Sequence, residues 1–374
     1  MIVKGEKMKF TCSTLELTIA SATVSKAVSQ KAAIPSIEGI LITASEGKVS
    51  LTGYDLELAI VTEIEANIEE EGSIVIDART LCEIVRKMPG ETITISADER
   101  KLCTIDSGNS EFTLNGIGVE DYPELPSVQN GTHIDINTDL FSKMVRKTVF
   151  ACAVVDTRPI FTGVKFEIEE GELRMIALDG FRLAIRKEKI DYSGETLEFI
   201  VPSKTLNEIV KISSEADEDI SISLGKRHIV FNIGSYSVIS RLIEGEFLNY
   251  SKTIPAGSKT QTVVSTDELL KAIERTAIVI TDRVKSPVRC IFYDNEIKMN
   301  CITNTARVND RISASVLGEK IEIGFNSKYF IDALKNTDCE EIKIEMIDSI
   351  KPIKITPVEG DNFLFIIMPV RLTR

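Results

Sequence analysis

Six basic residues stand at three matched pairs of positions: Arg79 and Arg86, Lys204 and Lys211, Lys328 and Lys335. Each pair is seven apart, two turns of α-helix, so both cations leave one face with roughly 10 Å between them. Such spaced point charges suit phosphate groups and read no base edges. The chemistry they offer is sequence-independent, salt-sensitive contact with a nucleic-acid backbone. On one helix the pair is ordinarily just a solvated face. Three matched copies on an acidic chain ask for a further reason. Lys143 with Lys147 and Lys271 with Arg275, four apart, extend the set. The first copy has Ile19 and Thr23 at those places, with Lys26 and Lys31 nearby.

Covalent chemistry finds little footing. His133 and His228 are isolated from any cysteine or carboxylate cluster at metal spacing, which argues against zinc. There is no P-loop, no G-x-S-x-G and no complete G-x-G-x-x-G; Gly116-Ile-Gly118 has Asp121 where the third glycine belongs. The seven cysteines (12, 82, 103, 152, 290, 301 and 339) are odd in number and never in C-x-x-C spacing. They read as reduced thiols of a cytoplasmic protein, most of them small core residues. No catalytic residue, metal or cofactor is expected. The apolar run 363–370 is far below the roughly 20 residues of a membrane span, and residues 1–11 carry no secretory signal core. The acidic runs 69–71 and 217–219 read as solvated turns.

What must position the cations is a repeated unit. Segments 73–88, 199–212 and 323–335 share one grammar: apolar strand, small turn residues, then a helix opening on a polar cap. Arg79, Lys204 and Lys328 are separated by 125 and 124 residues, and Leu58 in Leu-Ala-Ile60 stands 125 before Leu183 in Leu-Ala-Ile185. That period is domain-sized, well above solenoid repeats. The expectation is three similar domains, 8–127, 128–253 and 254–374, with 1–7 as an extension. Their borders fall in the turn-rich stretches 122–131 and 250–258.

Six helices are expected, at 15–31, 77–88, 138–149, 203–214, 266–278 and 327–335. Ser13-Thr14, Asn137-Thr138 and Ser265-Thr266 supply N-caps. The faces opposite the cations are apolar: Leu81, Ile84 and Val85; Leu206, Ile209 and Val210; Phe330, Ala333 and Leu334. Stretches such as 163–168 and 343–347 alternate as strands do. The class is α+β, each domain placing two helices on one side of antiparallel sheet. The net charge of −13 argues against nucleic acid if evenly spread, yet it divides into +5 on the six helices and −18 elsewhere. By domain-sized thirds it runs −10, −3 and 0.

The three repeats, together with Met8-Lys-Phe-Thr11, Leu51-Thr-Gly-Tyr-Asp-Leu-Glu57, Asp179-Gly-Phe-Arg-Leu-Ala184 and Met368-Pro-Val-Arg-Leu372, resemble the bacterial β sliding clamps. These are the processivity subunits of the replicative DNA polymerase III, non-catalytic members of that holoenzyme. The likeness runs from Met8 to Leu372. It implies that two chains pair head to tail in a six-domain homodimeric ring around double-stranded DNA, held topologically and without sequence preference. Helices would line the hole, making Lys26, Lys31, Arg79, Arg86, Lys143, Lys147, Arg158, Lys204, Lys211, Lys271, Arg275, Lys328 and Lys335 DNA-facing. Arg158 belongs to a loop, 155–160, that lacks the aromatic residues of some relatives.

The resemblance also implies where the ring closes. An edge strand with Glu111, Phe112 and Leu114 would meet Ile278, Val279 and the stretch Arg307 to Arg311 of the other chain, Glu111 pairing with Arg307 or Arg311. It implies a groove between domains two and three for short peptides with a Gln and bulky apolar residues. Partners of that kind come from the replicative polymerase, the clamp loader and repair proteins. The matching positions are Phe161, Leu178, Gly180, Phe181, Arg182, Leu183, Leu248, Lys252, Thr253, Ile350, Pro352, Ile366, Ile367, Met368, Pro369, Val370 and Arg371. Phe181, Leu248 and Pro352 depart from the family's usual choices. Two other readings stay open at this stage: an enzyme whose site is assembled from scattered residues, and a monomeric β-rich adaptor that binds proteins only.

Overall fold

The computed structural model describes residues 7–129, 131–155, 157–214, 219–281 and 286–372. Most of the extension 1–7, loop residue Asp156, Asp217 and Glu218 of the acidic run, and Thr373-Arg374 lie outside the described residues.

The helices are α1 Thr14–Val24, α2 Ala78–Val85, α3 Thr138–Val149, α4 Ser203–Ser213, α5 Thr266–Ala277 and α6 Ser327–Lys335. Their starts follow from capping chemistry. Ser13 Oγ accepts from the Glu16 amide, Asn137 Oδ1 from Leu140 and Ser265 Oγ from Glu268, each satisfying an amide the helix cannot pair internally. The apolar faces named above are all buried.

One helix ends early. The expected 15–31 is α1 only to Val24, then a 3-10 turn over Ser25–Ala27, and Lys31 lies outside any helix. The hydroxyls of Ser21, Thr23 and Ser25 bond back to the carbonyls of Thr18, Ile19 and Ala22, a competition that weakens continued helix. Gly53 marks the close approach there, since a Cβ on it would lie 2.0 Å from the Val24 carbonyl oxygen.

Each repeat reads strand, helix, a block of strands, helix, three strands; the block has four strands in the first two repeats and five in the third. By contact the chain forms two compact units, one up to Phe141 with Glu208–Leu242 and the other Ser142–Asn207 with Ile243–Arg374. The second repeat is thus shared between them, because strand ladders join neighbouring repeats as firmly as they join strands within one. In the first unit, strand Leu58–Glu70 pairs antiparallel with Tyr236–Arg241, Ala59 opposite Ile239. In the second unit, strand Arg182–Lys189 pairs with Phe363–Ile367, Leu183 opposite Ile366. Both seams join the third strand of a block to the last strand of the next repeat.

A triplicated turn fixes the entry to those third strands. Asp55 Oδ1 accepts from the amides of Glu57 and Leu58, Asp179 Oδ1 from Phe181 and Arg182, and Thr303 Oγ1 from Thr305 and Ala306. These capped turns stand 124 residues apart. They correct the sequence match of Leu58 with Leu183: the hairpins place Tyr54 opposite Ala59, Leu178 opposite Leu183 and Ile302 opposite Arg307. Leu183 therefore corresponds to Ala59. The repeated Leu-Ala-Ile is out of register by one residue, which turns each side chain to the other face.

Candidate functional site

The Asp179 turn lies beside the buried apolar cluster of the second unit. Gly180 sits at φ +88°, a conformation that favours glycine, and lets the chain reverse within the turn. The reversal throws Phe181 outward, 59% exposed, and folds Arg182 inward. Arg182 Nε donates to Asp179 Oδ2 at 3.0 Å and NH1 to Asp332 Oδ2 of α6 at 2.6 Å. Its guanidinium lies over the Tyr329 ring, 4.6 Å from the centroid, and near Phe150 at 5.5 Å. Tyr329 in turn stacks on Phe181 at 6.1 Å. Burial and then the Asp179 charge push the Tyr329 phenol above its ordinary range, so the ring is neutral.

In that cluster, Phe161, Leu178, Leu183 and Ile366 join Ala153, Ile176 and Ile185, with Phe247, Tyr250 and Ile254 packed against it. Tyr250 donates to Glu167 Oε2 at 2.7 Å, anchoring the 3-10 turn Tyr250–Thr253 that carries Lys252 and Thr253. The Met368 amide donates to the Phe181 carbonyl, holding the C-terminal segment beside the turn. Leu248, Ile350, Met368 and Val370 are exposed. Lys252, Thr253 and Arg371 are exposed as well, and Pro352 and Pro369 half-buried. Ile367 follows Ile366 on a strand, projects from the other face, and is buried outside this cluster.

Two strands stand at sheet edges. Ser110–Asn115 ends the ladder of the twelve-stranded sheet, with Phe112 44% exposed. Arg307–Ser313 ends the four-stranded sheet, its Asp310 held by Arg275 at 2.7 Å. Ile278 follows α5 and is exposed; Val279 and Leu114 are half-buried. Glu111, Arg307 and Arg311 make no ion pair among the described residues.

The cations are more tied down than their spacing suggests. With the observed helix ends, the helices among the described residues carry +2 rather than +5, since Lys26, Lys31, Arg86 and Lys87, and the cap Asp77, fall outside α1 and α2. Arg79 pairs with Glu83, Lys211 with Glu208, Lys271 with Asp267 and Lys335 with Glu274. Arg158 lies over the Phe161 ring at 4.1 Å. Lys143 and Lys147 both reach Asp338. Lys204 is exposed, as are Lys26, Lys31, Arg86 and Lys328, and these last four have no ion pair among the described residues. Exposed pairs are worth about 0–1 kcal/mol, so phosphate can displace most of the partners.

Family models of the DNA polymerase III beta subunit match the chain in order: the N-terminal domain over 8–126, the central domain over 135–249 and the C-terminal domain over 251–371. The chain belongs to this family. A Beta sliding clamp of Bacillus subtilis is 34% identical over 377 residues, covering 97% of this chain and all of that one. One from Staphylococcus aureus is 32% identical over 356 residues, covering 92% and 94%. Among solved structures, the DNA polymerase sliding clamp of Bacillus subtilis superposes with a TM-score of 0.94 at 34% identity, covering 98% and 100%. A putative DNA polymerase III beta subunit from Eubacterium rectale gives 0.93 at 35%, covering 97% and 99%.

Around the Asp179 turn stand residues that sequence reasoning missed. Tyr329 and Asp332 lie three apart on α6 and hold Arg182 from one side, while Phe150, Phe247 and Tyr250 add aromatic surface. The sequence reading gives α6 only its cations and its core. The Asp179-Gly180 pair was the available signal, since Asp-Gly is a turn former whose carboxylate binds amides ahead of it. Among the described residues no three metal-ligating side chains come together.

Proposed function

We propose that the chain works as a DNA sliding clamp: two copies close head to tail into a six-domain ring around duplex DNA. The ring tethers the replicative polymerase and other replication and repair proteins through the apolar groove. It is a non-catalytic processivity factor, working in the cytoplasm, with domains 8–127, 128–253 and 254–374. The cations on and beside the helices meet phosphates without reading sequence, which permits sliding.

One observation carries the ring. Twice within the chain, the third strand of a block pairs with the last strand of the next repeat. The two strands of those kinds left over are Arg307–Ser313 of the third repeat and Ser110–Asn115 of the first, both at open edges. A second copy satisfies both, and open edges are otherwise a hazard.

The same logic gives the register. The Arg241 amide donates to the Glu57 carbonyl in one seam and the Met368 amide to the Phe181 carbonyl in the other, both at 2.8 Å. The hairpins ending at Ser110 and Tyr236 have equivalent two-residue turns, 126 apart, so Asn115 corresponds to Arg241. Transferred to the edges, Phe112 of one copy lies opposite Val308 of the other and Glu111 opposite Asn309. Glu111 is then diagonal to both Arg307 and Arg311. The test is cysteine cross-linking with the surface thiols replaced. Glu111→Cys with Asn309→Cys should bridge two copies, while Glu111→Cys with Arg307→Cys or Arg311→Cys should bridge poorly, because disulfides need Cα atoms within about 7 Å. No cross-link in any register, with a sedimenting species near 41.4 kDa, contradicts the ring.

A further inference from the structure

One carboxylate, Asp338, just beyond α6, gathers three cations. Arg186 NH2 lies 2.6 Å from its Oδ2, and Lys143 Nζ 3.3 Å from the same oxygen. Lys147 Nζ bonds the other oxygen, Oδ1, and sits 3.4 Å from the Thr337 carbonyl. Arg186 is fully buried; its NH2 also reaches Glu188 at 3.2 Å, while Nε and NH1 have no partner among the described residues. Three cations therefore face two carboxylates in a half-buried site.

This arrangement differs from the other helix cations. Glu83 and Asp267, the partners of Arg79 and Lys271, are more than half exposed and hold nothing else. The Asp338 side chain is only 25% exposed and that of Lys147 17%, with Lys143 at 47% on the outer side of the site. Stripping a carboxylate from a buried guanidinium leaves an uncompensated buried charge, so Arg186 fixes Asp338 in place. A phosphate that drew Lys147 away would break its bond to Asp338 Oδ1 and its contact with the Thr337 carbonyl. Burial, with Arg186 and Lys143 close by, also lowers the Lys147 pKa.

We propose that Asp338, fixed by Arg186, is a built-in counter-anion that withholds Lys143 and Lys147 from DNA phosphate. The consequence, given the sliding-clamp reading on which it rests, is that α3 makes fewer phosphate contacts than its charge implies, lowering friction on the duplex. Lys143 and Lys147 then drop from the DNA-facing set, and Asp338 enters as a positioning residue.

The experiment measures affinity of the dimer for a short duplex against salt concentration. Each phosphate contact contributes about 0.9 to the slope of log K against log salt. Lys328→Gln should reduce the slope by about that amount. Lys143→Gln and Lys147→Gln should leave it unchanged, and Asp338→Asn should steepen it by up to about 1.8 as both lysines are released. A fall of about 0.9 in either lysine variant overturns the proposal, as does a folded Asp338→Asn with an unchanged slope. If Asp338→Asn does not fold, the two lysine variants decide alone. An unchanged slope in Lys328→Gln as well removes the helices from DNA altogether, and the proposal falls with the clamp reading.

Discussion

Arg182 and Tyr329 belong to different repeats, and the guanidinium lies over the ring, 4.6 Å from its centroid. The contact does more than pack. It ties the Asp179-Gly180-Phe181 turn to α6, and so would shape one side of the proposed peptide groove. Arginine is needed because its planar group stacks on the ring while bonding Asp179 and Asp332 at once. Arg182→Lys keeps the charge and loses the stack and the fork. The expected result is about tenfold weaker capture of a Gln-containing apolar peptide, on the order of 1.4 kcal/mol, with the dimer intact. Fluorescence anisotropy with a labelled peptide checks it.

Groove specificity should be separable from folding. Leu183 is only 4% exposed, so Leu183→Lys would disturb the core and report on stability instead. Met368 and Leu248 are 38% and 45% exposed, so lysine there keeps the fold. Met368→Lys and Leu248→Lys should each weaken peptide binding by more than tenfold while leaving the melting temperature within a few degrees. If folding and binding were lost together, the groove would be misplaced.

Ring closure should depend on Phe112 far more than on the charges around it. A half-exposed aromatic at a sheet edge is the usual anchor of such a contact, with truncation costing about 2 kcal/mol or more. Phe112→Ala is expected to weaken the dimer at least about thirtyfold. Glu111→Arg replaces two attractions by two repulsions, each worth up to about 1 kcal/mol, for roughly a tenfold loss that shrinks in high salt. Analytical ultracentrifugation across a dilution series reads both.

The thiols give a pH-dependent signature. Burial pushes Cys12, Cys103, Cys152 and Cys290 up to about 12. A raised pKa means less thiolate at any lower pH, so these four should resist iodoacetamide from pH 7 to 9 in the folded protein. The half-buried Cys82 and Cys339 should be alkylated first. Peptide mass mapping before and after unfolding distinguishes the two groups.

How far these features were legible depends on how local their causes are. The helix starts at Ser13, Asn137 and Ser265 were readable because capping uses residues within one turn. The end of α1 was not, because it depends on hydroxyl back-bonding and on the approach of Gly53. Phe161, Leu178 and Leu183, buried in one cluster, were singled out by family likeness, since in one sequence they look like any strand core. Ile366 and Ile367 were indistinguishable until strand pairing put them on opposite faces. Asp338 was invisible: the two lysines it holds are 190 and more residues away, and spacing on a helix says nothing of a counter-ion from another repeat.

The most direct test of the central claim is topological. After loading onto nicked circular DNA by a clamp loader, the protein should stay bound through gel filtration at high salt. It should then dissociate when the circle is cut once, by sliding off the ends. Equal retention on circular and linear DNA, or loss from both as salt rises, would mean a surface binder and would contradict the ring.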